Sequence, residues 1–173
     1  ALSGTWMVSG IVPTLIYYGM YILQPAWFIV SACVICAVVS LMVGSSWTTV
    51  ATIGIALMGI GQALGFSIGW TAGAIISGAY FGDKMSPLSD TTVMASSMYK
   101  DAYLDNGYEP KLLSRTIEDS ATVTSPIIPW TTCGMTQANV LGVSTLTYAP
   151  YCIFNYLSPV VTVLMALRVK KSK

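Results

Sequence analysis

Charge is what this 173-residue chain has least of: 9% of its residues are Asp, Glu, Lys or Arg, and it has no His. The deficit is uneven. Residues 1–82 carry no charge at all, and a second charge-free run covers residues 120–167. A soluble domain of this size needs ionised side chains over much of its surface, whereas 54% of this chain is apolar and its mean hydropathy is positive. Lipid is the solvent in which such a surface rests, so the chain is predicted to be an all-α integral membrane protein in contact with the bilayer. A net charge of +1 without a basic stripe excludes the electrostatic footprint of a nucleic-acid binder. The absence of His, and of any Ser or Cys beside a plausible base in an apolar segment, excludes ordinary nucleophilic triads. No enzyme activity and no resident cofactor are expected. Cys33, Cys36, Cys133 and Cys152 lie inside apolar stretches, where a thiol packs as a small hydrophobe. The C-x-x-C formed by Cys33 and Cys36 lacks the second ligand pair or electropositive setting that metal or redox chemistry requires. No basic n-region with a small-residue cleavage site leads into the first apolar stretch, so no removable targeting peptide is expected.

What is present divides into apolar runs and interruptions. Residues 5–23, 26–43, 47–66 and 148–167 approach the roughly 20 apolar residues that cover a hydrocarbon core. Residues 70–97 and 122–143 are apolar on average but broken by Gly, Pro, Ser and Thr. Pro87 in the first, and Pro126 and Pro129 in the second, each remove a backbone donor and clash with the preceding turn, so these are predicted to be discontinuous helices or re-entrant hairpins. Irregular backbone at membrane depth survives only where protein or a watery cavity satisfies it, so such breaks point to a site. One break in each half of the chain fits the inverted-repeat logic of secondary transporters. Gly61, Gly65, Gly69 and Gly73, with Ser77 next in register, would form a smooth helix-packing stripe. Three regions result: residues 1–97, a polar loop at 98–119, and residues 120–173 ending in a basic tail. Arg168, Lys170, Lys171 and Lys173 in that tail place the C-terminus in the cytoplasm.

The segment of greatest chemical content is Gly82-Asp83-Lys84-Met85-Ser86-Pro87-Leu88-Ser89-Asp90-Thr91-Thr92, with two carboxylates, one ammonium and four hydroxyls beside long apolar runs. Charges at membrane depth are costly unless paired or lining a cavity. Asp83 and Lys84 can neutralise other groups locally. Asp90, with Ser86, Ser89, Thr91 and Thr92 near it, offers the hard oxygens that Na+ prefers, and is the expected metal (sodium) ligand. A carboxylate that is either protonated or metal-bound is the minimal device for exchanging H+ against Na+. Asp83 and Asp90 are therefore the candidates for cation and proton binding, with Ser86, Ser89, Thr91 and Thr92 as neutral ligands. Ser45, Ser46, Thr48, Thr131 and Thr132 are weaker candidates at other broken segments. The bland alternative is a surface loop between two spans.

Residues 74–92 closely resemble the signature of the NhaC-type sodium/proton antiporter family. Gly10-Ile11-Val12-Pro13-Thr14 in an early span, Gly44-Ser45-Ser46-Trp47-Thr48-Thr49, and Gly54 to Gly61 are similar to further family segments. So are Leu113 to Ser120 and Ile128-Pro129-Trp130-Thr131-Thr132-Cys133-Gly134. The resemblance implies a multi-pass protein of the cell (inner) membrane that carries sodium and protons in exchange. It also covers relatives that trade sodium with malate or lactate. Val93 and Thr131 stand where many members have Asn, which removes two amide ligands and suggests an altered substrate. Family members are also longer, with several spans between the Asp90 signature and the Tyr99-Lys100-Asp101 segment, which here abut near Ser97 and Met98. A homo-oligomer or a partner chain would then supply the missing spans, and a non-transporting fragment or membrane scaffold is the competing expectation. Intramembrane aspartyl proteolysis is disfavoured, because Asp83 and Asp90 lie too near in sequence to come from two facing helices.

Overall fold

The computed structural model describes residues 5, 8–22, 24–89, 97, 101, 104–105, 116 and 118–166. Among these residues every regular element is helical. Helix α1 is Ile11–Ile22. Helix α2, Phe28–Val43, is entered through the 3-10 turn Pro25–Trp27, whose proline occupies a position where no backbone donor is needed. Helix α3 covers residues 46–63 as one run, with a π turn at Val50–Gly54 set between Ser46–Thr49 and Ile55–Ala63. Helix α4 is Ile68–Met85. After it the chain passes through a π turn, Glu118–Thr122, and a 3-10 turn, Ser125–Ile127, into α5, Thr132–Leu141. A short α6, Thr145–Tyr148, runs on as the 3-10 turn Ala149–Tyr151, and α7 is Ile153–Ala166.

The pattern of side chains on α2 explains the layering. Phe28, Ala32, Cys36 and Ser40 recur every four residues and are buried. On the opposite side Val30, Val34 and Val38 are about half exposed. The same apolar outward face recurs on α7, where Leu157, Val160 and Leu164 are more than half exposed. Large β-branched and leucine side chains turned outward on two helices are what a lipid-facing surface requires. Helix α4 is the centre of the assembly, with every residue from Thr71 to Tyr80 buried.

Between helices in lipid there is no hydrophobic gain to drive association, so close approach and packing must hold the bundle. Gly78 and Gly82 of α4 lie so close to α2 that a Cβ at either would run into the carbonyl oxygens of Cys33 and Ala37 respectively. Ser40 Oγ donates to the Ala79 carbonyl at 2.6 Å across the same crossing. On another side of α4, Gly69 and Gly73 admit Tyr151. The glycine stripe expected from the sequence is thus divided between helices. Gly61 lies in α3, and Gly65, with φ +78°, lies in the turn that follows.

The expected spans are partly redrawn. One run among the described residues, Pro25–Val43, is by itself long and apolar enough to cross a bilayer. Thr145–Tyr151 and Ile153–Met165 meet the same criterion only together, as a pair bent by 56°, where the sequence suggested one straight span over 148–167. The break expected within 70–97 does not reach α4, which is continuous through Asp83, Lys84 and Met85, and begins at Ser86 and Pro87. The break within 122–143 is present, as turns up to Thr131 followed by α5.

Replacing Gly78 with Ala should force α2 and α4 apart. An expected cost of about 1–3 kcal/mol, typical of overpacking, would appear as a lower Tm of the purified protein. An unchanged Tm would mean that the crossing is looser than described.

Candidate functional site

The site is assembled at the turn between α2 and α3 and the last turn of α4. Gly44 ends α2 in the left-handed conformation, φ +73°, and a Cβ there would also lie 2.7 Å from the Leu88 carbonyl oxygen. A residue with a side chain fits neither demand. Ser45 then caps α3, its hydroxyl oxygen accepting the Thr48 N–H at 3.5 Å and the Thr48 hydroxyl at 3.2 Å. Ser46 directs its N–H and its Oγ–H at Asp83 Oδ2, at 3.2 and 2.9 Å. The α4 carboxylate therefore meets the positive end of α3, where a negative charge is favoured.

Asp83 is 4% exposed, and its second oxygen, Oδ1, is buried without a hydrogen-bond partner among the described residues. The ammonium of the adjacent Lys84 does not serve it. Lys84 pairs with Asp119 and donates to Ser158 Oγ at 2.6 Å, with its Nζ 5.9 Å from the Phe154 ring centroid. Asp119 also accepts the hydroxyls of Ser158 and Thr162. Lys84 is the one basic residue among the described residues, so none of these supplies Asp83 with a cation. Glu118 and Asp119, which the sequence placed at the end of a polar loop, are 3% and 1% exposed. The rest of that 98–119 stretch lies largely outside the described residues.

Asp83 faces a cavity of about 460 Å3. The Gly44-Ser45-Ser46-Trp47 turn and Asp83 form one side, and Ala121, Thr122, Ser125 and Cys133 form the other. Ser125 Oγ is likewise buried with no hydrogen-bond partner among the described residues. One turn before Asp83, the buried Tyr80 hydroxyl accepts from Gln137 Nε2 at 3.4 Å and lies beside Ser46 and Cys133.

The candidates named from sequence separate accordingly. Asp83, Ser45 and Ser46 line the cavity. Ser86 and Ser89 are buried in the turn after α4, where Ser86 Oγ accepts the Leu88 N–H at 3.2 Å. Asp90, Thr91 and Thr92 lie outside the described residues, as does Val93. Thr48 is exposed and serves the α3 cap. Thr131 caps α5, accepting the Gly134 N–H at 3.0 Å, and Thr132 is exposed; neither lines the cavity. Among the described residues no group of three or more His, Cys, Asp or Glu is placed to hold a metal. Ser125, Gln137 and Tyr80 were not singled out from sequence. Ser125 sits among the prolines that marked the break, and that proximity was the available signal.

The profile of the Na+/H+ antiporter family matches residues 19–101 and 93–168. Over 100 residues the chain is 55% identical to the malate-2H+/Na+-lactate antiporter of Bacillus subtilis, covering 58% of this chain and 21% of that protein. It is 61% identical over 90 residues to the Na+/H+ antiporter NhaC of Alkalihalophilus pseudofirmus, covering 52% and 20% respectively. It is 50% identical over 97 residues to the arginine/ornithine antiporter ArcD of Halobacterium salinarum, covering 56% and 20%. The chain spans about a fifth of the length of these relatives. No solved structure matches it.

Lys84 is partly exposed and Asp119 is buried; removing the lysine leaves that carboxylate uncompensated, at a cost below the roughly 3–5 kcal/mol of a fully buried pair. Lys84→Met is expected to lower stability accordingly. Adding Asp119→Asn should recover part of the loss, as read by thermal melts of the two variants. Additive losses would show that the pair is not coupled.

Proposed function

The chain belongs to the Na+/H+ antiporter family, and on that premise we propose that it forms part of a secondary antiporter exchanging Na+ for H+, with Asp83 as one carboxylate for which the two ions compete. The observation that carries this reading is a buried carboxylate lining a cavity, with one oxygen unpaired and no cationic partner among the described residues. An ionised group in that setting is costly. Protonation removes the cost, and so does a bound cation, which makes the two ligands mutually exclusive. Ser46 suits either state: its two donors hold Oδ2, leaving Oδ1 to carry the proton or face the ion. Ser45 stands beside it in the cavity wall. Asp90, with Ser86, Ser89, Thr91 and Thr92, is kept as the second carboxylate of the exchange, on the strength of the sequence pattern.

The wider features of the reading follow from the same premises. Asp83, in the last turn of α4, and Ser125, in the break before α5, border the cavity from two sides, an arrangement compatible with the inverted-repeat site proposed for such transporters. The basic tail favours a cytoplasmic C-terminus in the cell membrane. Since the chain spans about a fifth of its relatives, further spans, in a longer chain or a partner chain, would complete the path. A second cargo is kept beside this reading because a relative at 55% identity is named for malate and lactate exchange.

Reconstituted protein should bind Na+ at alkaline pH. The apparent Kd should rise as the medium is acidified, approaching about tenfold per pH unit where the proton competes fully, as one-proton competition requires. Asp83→Asn should abolish both the binding and its pH dependence in calorimetric titrations. Binding that ignores pH, or survives Asp83→Asn, would defeat this assignment.

A further inference from the structure

We propose that Ser125 is the second anchor of the cation held by Asp83, so that the ion bridges the end of α4 and the 3-10 turn Ser125–Ile127 across the cavity. This rests on reading Asp83 as a cation carboxylate, and it adds a ligand from the opposite wall. Five buried side-chain N or O atoms among the described residues lack a hydrogen-bond partner, and two of them, Asp83 Oδ1 and Ser125 Oγ, belong to residues lining this one cavity. Each such atom is costly when left unsatisfied, and more so if charged. One small cation would satisfy both, the carboxylate oxygen by charge and the hydroxyl oxygen by a lone pair.

The way Ser125 is held supports a ligand role. Thr131 Oγ1 donates to the Ser125 carbonyl at 2.6 Å, and Tyr148 Oη donates to the Pro126 carbonyl at 2.8 Å. Pro126 itself fixes the backbone at the next position. These tethers secure the main chain at the serine and at the residue after it and leave its hydroxyl free, which is the preorganisation a binding group needs. Asp83 is arranged in the same way, with Oδ2 tied to Ser46 and Oδ1 open.

The test is calorimetric titration of the purified full chain with Na+ and, separately, with the softer cation Tl+, at alkaline pH. Ser125→Ala should weaken Na+ binding by about tenfold, equivalent to ~1.4 kcal/mol. Ser125→Cys, which keeps the size of the side chain but offers a soft sulfur, should shift preference from Na+ towards Tl+ by a similar factor. That shift in preference is a readout a merely structural serine would not move, and it decides the matter if the alanine variant fails to fold. Unchanged Na+ affinity in Ser125→Ala, or an unchanged Na+/Tl+ ratio in Ser125→Cys, overturns the Ser125 assignment. If Asp83→Asn still loses binding in the same series, the reading of Asp83 stands alone. If Asp83→Asn also binds as the parent does, both fall.

Discussion

The tie between Asp83 Oδ2 and the first turn of α3, made by the N–H and the hydroxyl of Ser46, is the interaction on which the rest of the site depends. It fixes a carboxylate near the end of the most deeply buried helix and orients it so that one oxygen is committed and the other is open. The neighbouring residue resolves its own charge in another direction. Lys84 engages Asp119, which Ser158 and Thr162 also hold, and so joins α4 to the π turn and α7. Two adjacent and opposite charges that could have cancelled each other are instead directed to different partners. Lys84 is engaged with Asp119, and Asp83 has no cationic partner among the described residues. On the proposed reading, that asymmetry in a low-dielectric setting is what would let a cation or a proton compete for the site.

Close packing makes the asymmetry possible. Gly78 and Gly82 bring α4 against the backbone of α2, and Gly44, whose α carbon is crowded by Leu88, delivers Ser45 and Ser46 to the carboxylate. A bundle spaced by larger side chains would set Ser46 further from Asp83. The glycines and the charged pair therefore act together, because helix separation sets the length of the hydrogen bonds at the site.

Much of this was legible in the sequence because burying charge is expensive. Charge-free runs marked the apolar body, and the first charges to interrupt them, at Asp83 and Lys84, are the ones around which the site is built. Prolines marked the broken segment at 126–129. What escaped was pairing at a distance. Nothing local to Glu118 and Asp119 distinguished them from the loop carboxylates before them, because the Lys84 partner lies 35 residues away. Ser46 ranked as a weak candidate for the same reason, its partner being 37 residues distant. The glycine spacing was read as one continuous stripe, but Gly65 takes a positive φ and ends the helix, so the packing surface changes helices there. Ser125 was one neutral hydroxyl among several in a broken segment, and only its burial against the Asp83 cavity sets it apart.

The central claim is that the open oxygen of Asp83 is where a cation enters this protein. The most direct measurement is an infrared difference spectrum of the reconstituted chain, recorded with and without Na+ at alkaline pH. The account predicts a Na+-induced shift in a carboxylate stretching band that is missing from the Asp83→Asn spectrum. A carboxylate shift of the same size in Asp83→Asn would contradict it.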